Sequence, residues 1–481
     1  MMQKKFLSSL GLLLLLNALV KPLYLLGIDA EVQNRLGRED YGIYFALLNL
    51  SFIFNILIDL GINNFNNRNI SQNQKLIGKH FSKLLTAKSL LSFIYALITL
   101  LLGFVLGYKE GNFWMLGVLV FNQVMVSFIL FARSNLAALQ LFKRDGIVSV
   151  LDRSLLILFC SILLFTQLTD GRFEAIWFVY LQTLAYFLTL IFALVMVGPK
   201  AGKLRWNFDY AFSVNIFGKS LPYALLILSG SIYSRIDGLM LENLLEKGSY
   251  HAGNYAQGFR FYEAAGMFAF LFAVLLLPIF SRMLQNKEEV RSMVELSSRM
   301  LVGVGVAAAI LFFYHSDWLL RWRYTNVDEE AVQSFIALMF GFLGVCMFYI
   351  YGTLMTANGN LRALNYISFS GLAINIVFNL ILIPKYMAFG AAVTTMFTQL
   401  FAGLAQLIFV VIHFRFGINY RMLGQFALFA MLFVTFNHYL PSLIENQSHQ
   451  FLLAIIAGGA LLVLSGTLRL GEIIRLVKAE R

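Results

Sequence analysis

Apolar residues run along this chain in long blocks broken by short polar stretches. The blocks cover 6–28, 41–62, 84–107, 113–132, 152–169, 175–197, 213–236, 256–278, 298–314, 332–355, 364–383, 388–412, 422–440 and 450–468. At 1.5 Å rise per residue, a helix of about 20 residues crosses the roughly 30 Å hydrocarbon core of a bilayer. The pattern therefore predicts an all-α polytopic membrane protein of about 14 transmembrane helices. The least regular blocks are 152–169, 213–236 and 298–314, which are short or carry polar residues. Composition agrees, because 59% of residues are hydrophobic, 47 are Phe and only 13% are charged. A soluble domain carries about 25% charged residues.

Charge then orients the blocks. Connections 1–5, 63–88, 132–153, 198–219, 281–299, 356–363, 413–421 and the tail from 469 hold 26 of the 37 Lys and Arg residues. The opposite connections hold eight, and Lys21, Arg235 and Arg260 lie in or beside predicted spans. The positive-inside rule makes the basic side cytoplasmic, with both termini on it. Lys4, Lys5 and the run Leu10 to Leu16 imitate a signal peptide, but Asn17, Lys21 and Pro22 interrupt the run and no small-x-small cleavage site follows. An uncleaved first span is expected.

Several function classes lose support. The net charge of +12 is spread over many short loops, as membrane orientation and anionic headgroups require, and not over one nucleic-acid-binding domain. No connection is long enough for a separate catalytic domain, and no GxxxxGK[ST], HExxH or GxSxG occurs. Two cysteines inside spans, Cys160 and Cys346, give neither a disulfide framework nor metal-site spacing. No enzyme activity, cofactor or metal is expected.

A short signature occurs twice. LGREDYGIY at 36–44 and KGSYHAGNY at 247–255 align Gly37, Gly42 and Tyr44 with Gly248, Gly253 and Tyr255. Glycine suits a tight loop and tyrosine a membrane interface. Six spans separate the copies, which predicts a parallel repeat: six helices over 1–206, six over 207–418, and two more over 419–481. A cavity is expected between the repeats.

Fourteen spans, this 6+6+2 partition, GREDYGIY and SRIDGLMLENL…GNYAQGFR together resemble the polysaccharide (O-antigen and exopolysaccharide) flippases of the multidrug/oligosaccharidyl-lipid/polysaccharide exporter superfamily. The family pattern matches at Asp237, at Gly253 with Tyr255, and at Pro278 with Ser281. The resemblance implies alternating-access transfer of undecaprenyl-pyrophosphate-linked oligosaccharide from the inner to the outer leaflet of the cytoplasmic membrane. It also implies membrane lipids, a polysaccharide polymerase and glycosyltransferases as partners, and coupling to a Na+ or H+ gradient. A lipid II or multidrug exporter of the same superfamily is the competing reading. A non-transporting envelope enzyme or assembly factor is the alternative from another class.

Charges within spans are the candidate site. Lys21, just before Pro22, reads either as an interface lysine above a bent helix or as a cavity cation for phosphate. Arg235 and Asp237 are two apart, so a straight helix would not stack them. They read as an interfacial cluster or as a phosphate donor beside an ion-coupling acid. Arg260 and Glu263, three apart, share a helical face, as a self-neutralising pair or as cavity groups. Asp59 precedes an Asn-rich stretch that it can cap, and is otherwise an isolated acid for coupling. Arg133, Asp152 and Arg153 flank one cytoplasmic loop, as snorkelling boundary residues or as the entrance for an anionic lipid-linked substrate. Lys21, Arg235 and Arg260 are thus the candidate substrate contacts. Asp59, Asp237 and Glu263 are the candidates for ion coupling or gating.

Overall fold

The computed structural model describes residues 16–166, 173–201, 209–417 and 419–468. Lys4 and Lys5, Arg172, and the basic tail from 469 lie outside the described residues. The described chain is helical, and eleven of its helices are long and apolar enough to cross a membrane. One of the eleven, Leu361–His413, is 53 residues long and breaks at Met387, where φ is 51°. Pro384 just before the break cannot donate a backbone N–H. The carboxylate of Glu330 takes the amide of Ala388 at 2.7 Å and so caps the second segment. The break divides the predicted 364–383 and 388–412 spans.

The chain forms two compact units, Met1–Ala256 and Gln257–Arg481. In the first unit, the opening helix continues through a π-helical turn, Tyr24–Asp29, into Ala30–Ile53. The π turn begins two residues after Pro22. Gly37, at φ 79°, then separates the first span from the second. Only glycine adopts that backbone without a Cβ penalty. The first span therefore runs past the predicted end at residue 28. Further helices are Ile77–Val105, Glu110–Ala138, Phe142–Phe165, Ala175–Ala201 and Tyr210–Leu244.

The second copy of the signature packs against the first. A Cβ on Gly42 would overlap the backbone of Ser249 and Gly253, and one on Gly253 would overlap that of Arg38. The two helices meet backbone to backbone, as small residues allow in membrane helix pairs. Gln33 closes the crossing by donating to the Gly253 carbonyl at 2.8 Å, and Arg38 donates to the Tyr250 hydroxyl.

In the second unit, Arg291–Arg323, Glu329–Met347 and Leu361–His413 are joined by Tyr420–Leu443 and Gln447–Leu464. Side-chain N-caps start three of these: Asp328 onto Ala331, Asn419 onto Met422 and Asn446 onto His449. Ile310, Phe429, Phe433 and Leu462 form a core that fastens the last two helices to Arg291–Arg323. Arg299, counted above among the cytoplasmic loop charges, is instead buried there. It donates to Gln425 at 2.6 Å and to the Gly466 carbonyl at 3.1 Å. An apolar cavity of about 430 Å³ lies between Val302, Met347, Leu407, Val411 and Phe426, with Arg291 and Glu295 on its wall.

The outward faces are apolar: Phe93, Phe104, Ile412 and Leu464 are each at least 70% exposed. Water would make such faces an aggregation surface, whereas lipid satisfies them. Trp114, Trp177, Trp318 and Trp322 lie at helix ends opposite the basic connections, where indole suits the headgroup layer. Cys160 and Cys346 are buried free thiols.

Candidate functional site

Arg235 and Asp237 diverge, as their spacing requires. The Arg235 guanidinium lies 4.9 Å from the centre of the Phe52 ring and 3.5 Å from the Asn49 amide oxygen, both on the second span. Asp237 is buried and accepts from the Tyr255 hydroxyl at 2.7 Å. Gly238 fits the seventh span against Phe45 and Asn49, where a Cβ would clash. Spans two, seven and the start of eight thus hold Arg235 and Asp237 within residues 1–256.

Arg260 and Glu263 form the expected i,i+3 pair at 2.9 Å, with Arg260 buried. This pair belongs to the second unit, as does the bond from Gln257 to the Asn326 carbonyl at 2.8 Å.

Asp59 caps and pairs at once. Its Oδ1 accepts from the Asn63 amide at 3.3 Å and from Lys88 Nζ at 3.0 Å. Lys88 is fully buried and also reaches the Ile58 carbonyl. It was counted above as a loop charge, because the fifth residue of the 84–107 block looks like a span boundary. The helix in fact starts at Ile77, so Lys88 is three turns inside it.

Lys21 lies on the first helix beside the start of Phe142–Phe165. Asn17 donates to Ser149 at 3.0 Å and ties the two helices together. Arg153, Arg133 and Asp152 are within electrostatic reach of Lys21. Arg133 pairs with Asp145 at 2.7 Å, and Arg153 donates to Tyr186 at 3.0 Å while lying over the Tyr24 ring at 4.6 Å. The structure therefore gathers Lys21 with Arg133 and Arg153, and Arg235 with Asp237's neighbours. It keeps Asp59 in a separate pair.

One buried acid was missed. Asp29 is 1% exposed and accepts from Tyr41 at 2.5 Å. The Tyr41 ring packs at a tilt against Tyr44, whose hydroxyl accepts from Gln182 at 2.8 Å. The first span looked finished at residue 28, which would leave Asp29 in a loop. The readable signal is the i,i+4 pair Asp29 and Gln33, which fits a continuing helix. Among the described residues no group of three His, Cys, Asp or Glu could hold a metal ion.

The helical fold is shared with solved transporters of the multidrug/oligosaccharidyl-lipid/polysaccharide exporter superfamily. The lipid II flippase MurJ, in an inward closed conformation, superposes with a TM-score of 0.72 over 94% of this chain and 97% of that one, at 14% identity. The Vibrio cholerae MATE transporter VcmN gives 0.61 over 86% and 97%, at 15% identity. A multidrug MATE transporter in an inward-facing conformation gives 0.62 over 84% and 94%, at 13% identity. The family model for polysaccharide biosynthesis proteins matches residues 7–284, and the chain belongs to that family. The capsular polysaccharide biosynthesis protein CapF of Staphylococcus aureus is 27% identical over 202 residues, 42% of this chain. That match spans about half the length of the curated relative, 50% of it.

Proposed function

We propose that this protein moves a polyprenyl-pyrophosphate-linked saccharide from the cytoplasmic to the outer leaflet by alternating access. The carrying observation is the placement of Lys21, Arg235 and Arg260 inside apolar helices, where charge is costly and marks function. A sugar-pyrophosphate loses its water on crossing, and basic donors replace it. Guanidinium offers a planar fork suited to phosphate. Asp59, Asp237 and Glu263 are the corresponding candidates for coupling to a Na+ or H+ gradient or for gating. The proposed topology has fourteen spans in a 6+6+2 arrangement over 1–206, 207–418 and 419–481, with both termini cytoplasmic. The proposed setting is the cytoplasmic membrane, alongside a polymerase and glycosyltransferases.

The family membership favours a surface oligosaccharide as cargo. The likeness to MurJ over 94% of the chain favours the second reading, a lipid II-type cargo. A cationic drug fits the basic groups poorly. Proteoliposomes loaded in parallel with a lipid-linked oligosaccharide, lipid II and ethidium separate the three. Flipping of either lipid without ethidium movement is expected. Ethidium movement alone would replace this reading with a multidrug exporter.

A further inference from the structure

The second predicted span is broken where it nears the basic side. Helix Ala30–Ile53 runs into one 3-10 turn, Asn55–Ile58, and the next helix, Ile62–Gln72, starts only after Leu60 and Gly61. Both linking residues have positive φ, 40° at Leu60 and 87° at Gly61. An unbroken helix would return the Ile62 amide to the Ile58 carbonyl. Here that amide bonds to the Asp59 carbonyl at 2.8 Å. The break thus releases the Ile58 carbonyl at the partly negative end of a helical limb and sets the Asp59 carboxylate next to it.

A side chain from the third predicted span fills the place. The Lys88 ammonium donates to Asp59 Oδ1 at 3.0 Å and to the Ile58 carbonyl at 3.4 Å. The Lys88 side chain is wholly buried. His80–Val105 is long and apolar enough to cross a membrane, and Lys88 lies roughly 12 Å along it. An ammonium carries three protons, and these two oxygens take two of them. The Asn63 amide also closes on Asp59 Oδ1, at 3.3 Å, while the Asn63 side-chain oxygen is buried without a partner.

A buried ion pair kept only for stability gains little, because desolvating both charges offsets their attraction. Oxygens freed where a membrane helix unwinds are, in contrast, suited to a small cation. The geometry points to a monovalent-cation site formed by the Ile58 carbonyl and the Asp59 carboxylate, with Lys88 as its built-in occupant. The ammonium stands where a free ion would, so the chain carries its own counter-cation at this position. The neighbouring Asn63 oxygen is the candidate third ligand for a free ion. Coupling or gating by Asp59 then requires Lys88 to withdraw first. The assignment is independent of the cargo.

Removing the ammonium should leave a place that a small cation from solution fills. Full-length Lys88→Ala in detergent is unfolded thermally in ammonium, sodium or choline chloride at equal ionic strength, so that screening is the same in each. In choline, too large for the place, the midpoint should fall below that of the wild type. Ammonium or sodium should raise it again by roughly 3 °C or more, as a ligand that binds only the folded state does. The wild type should gain less, because Lys88 already occupies the site. Lys88→Ala combined with Asp59→Asn should gain no more than the wild type, because the carboxylate is gone. Lys88→Leu, which keeps an apolar stem and omits the ammonium, repeats the test where the alanine protein folds poorly. A response to either ion supports the site, and the stronger response names the preferred ion. A merely structural ion pair predicts the same loss in all three salts. That result, or failure of both variants to fold in every salt, would overturn the proposal.

Discussion

Lys88 and Asp59 illustrate how a charge becomes readable only with its partner. Lys88 is 0% exposed and Asp59 is 19% exposed, so removing either side chain strands the other in a low-dielectric setting. Lys88→Ala should lower unfolding stability by about 3 kcal/mol, the lower end for a broken buried pair. The double variant Lys88→Met with Asp59→Asn should recover much of the loss. Thermal unfolding of the detergent-solubilised protein checks this, and equal losses in the single and double variants would deny the coupling. Arg235 makes a different demand. Arg235→Ala should abolish most flipping at normal protein abundance, and Arg235→Lys should rescue poorly if phosphate is held by the guanidinium fork. Normal flipping by well-expressed Arg235→Ala would remove it from the mechanism. The sequence made Lys21, Arg235, Asp237, Arg260 and Glu263 visible, because a charge in an apolar run is conspicuous. Asp29, Lys88 and Arg299 stayed hidden, because each falls at the end of an apolar run and passes for a loop residue.

Helices carry the next lesson. Hydropathy placed most of the apolar blocks on helices, eleven of which are long and apolar enough among the described residues to cross a membrane, but it misjudged where helices stop. The break between the first two spans depends on Gly37 and the extra π turn on Pro22's neighbourhood, neither of which changes hydropathy. The repeated signature was readable as an internal repeat of Gly and Tyr positions, whereas the backbone crossing its glycines build was not. Gly42 and Gly253 are spaced for a backbone crossing that only three dimensions reveal. Gly42→Val should force the helices apart and cost about 1–3 kcal/mol or more, as overpacking does. Gly248→Ala should behave likewise, because its missing Cβ lies against the Leu241 and Glu242 carbonyls. Substitution at Gly111, where a Cβ meets nothing within 4 Å, should be neutral by the same unfolding assay.

At the scale of the whole molecule, topology and transport stand together. The two native cysteines are buried, so a cysteine-labelling background should be low. Thr325→Cys should react with an impermeant maleimide in intact cells, and Glu288→Cys only after permeabilisation. Both positions are exposed, and neither is a helix cap. Reversed labelling would invert the proposed orientation. Family and class were legible because the count of spans, the charge asymmetry and the short motifs each reflect a bilayer constraint. Cargo was not legible, because basic side chains in a span would suit the phosphate headgroup of a lipid-linked surface oligosaccharide and of lipid II equally. The most direct test of the central claim is leaflet accessibility in proteoliposomes. A fluorescent undecaprenyl-pyrophosphate-linked saccharide is incorporated, and the label is quenched from outside. The account predicts that the quenchable fraction rises from about half toward completion with the protein present, and stays near half with Arg235→Ala, since unassisted headgroups do not cross hydrocarbon. A fraction that remains near half with folded wild-type protein, under an imposed Na+ or H+ gradient as well as without one, would contradict it.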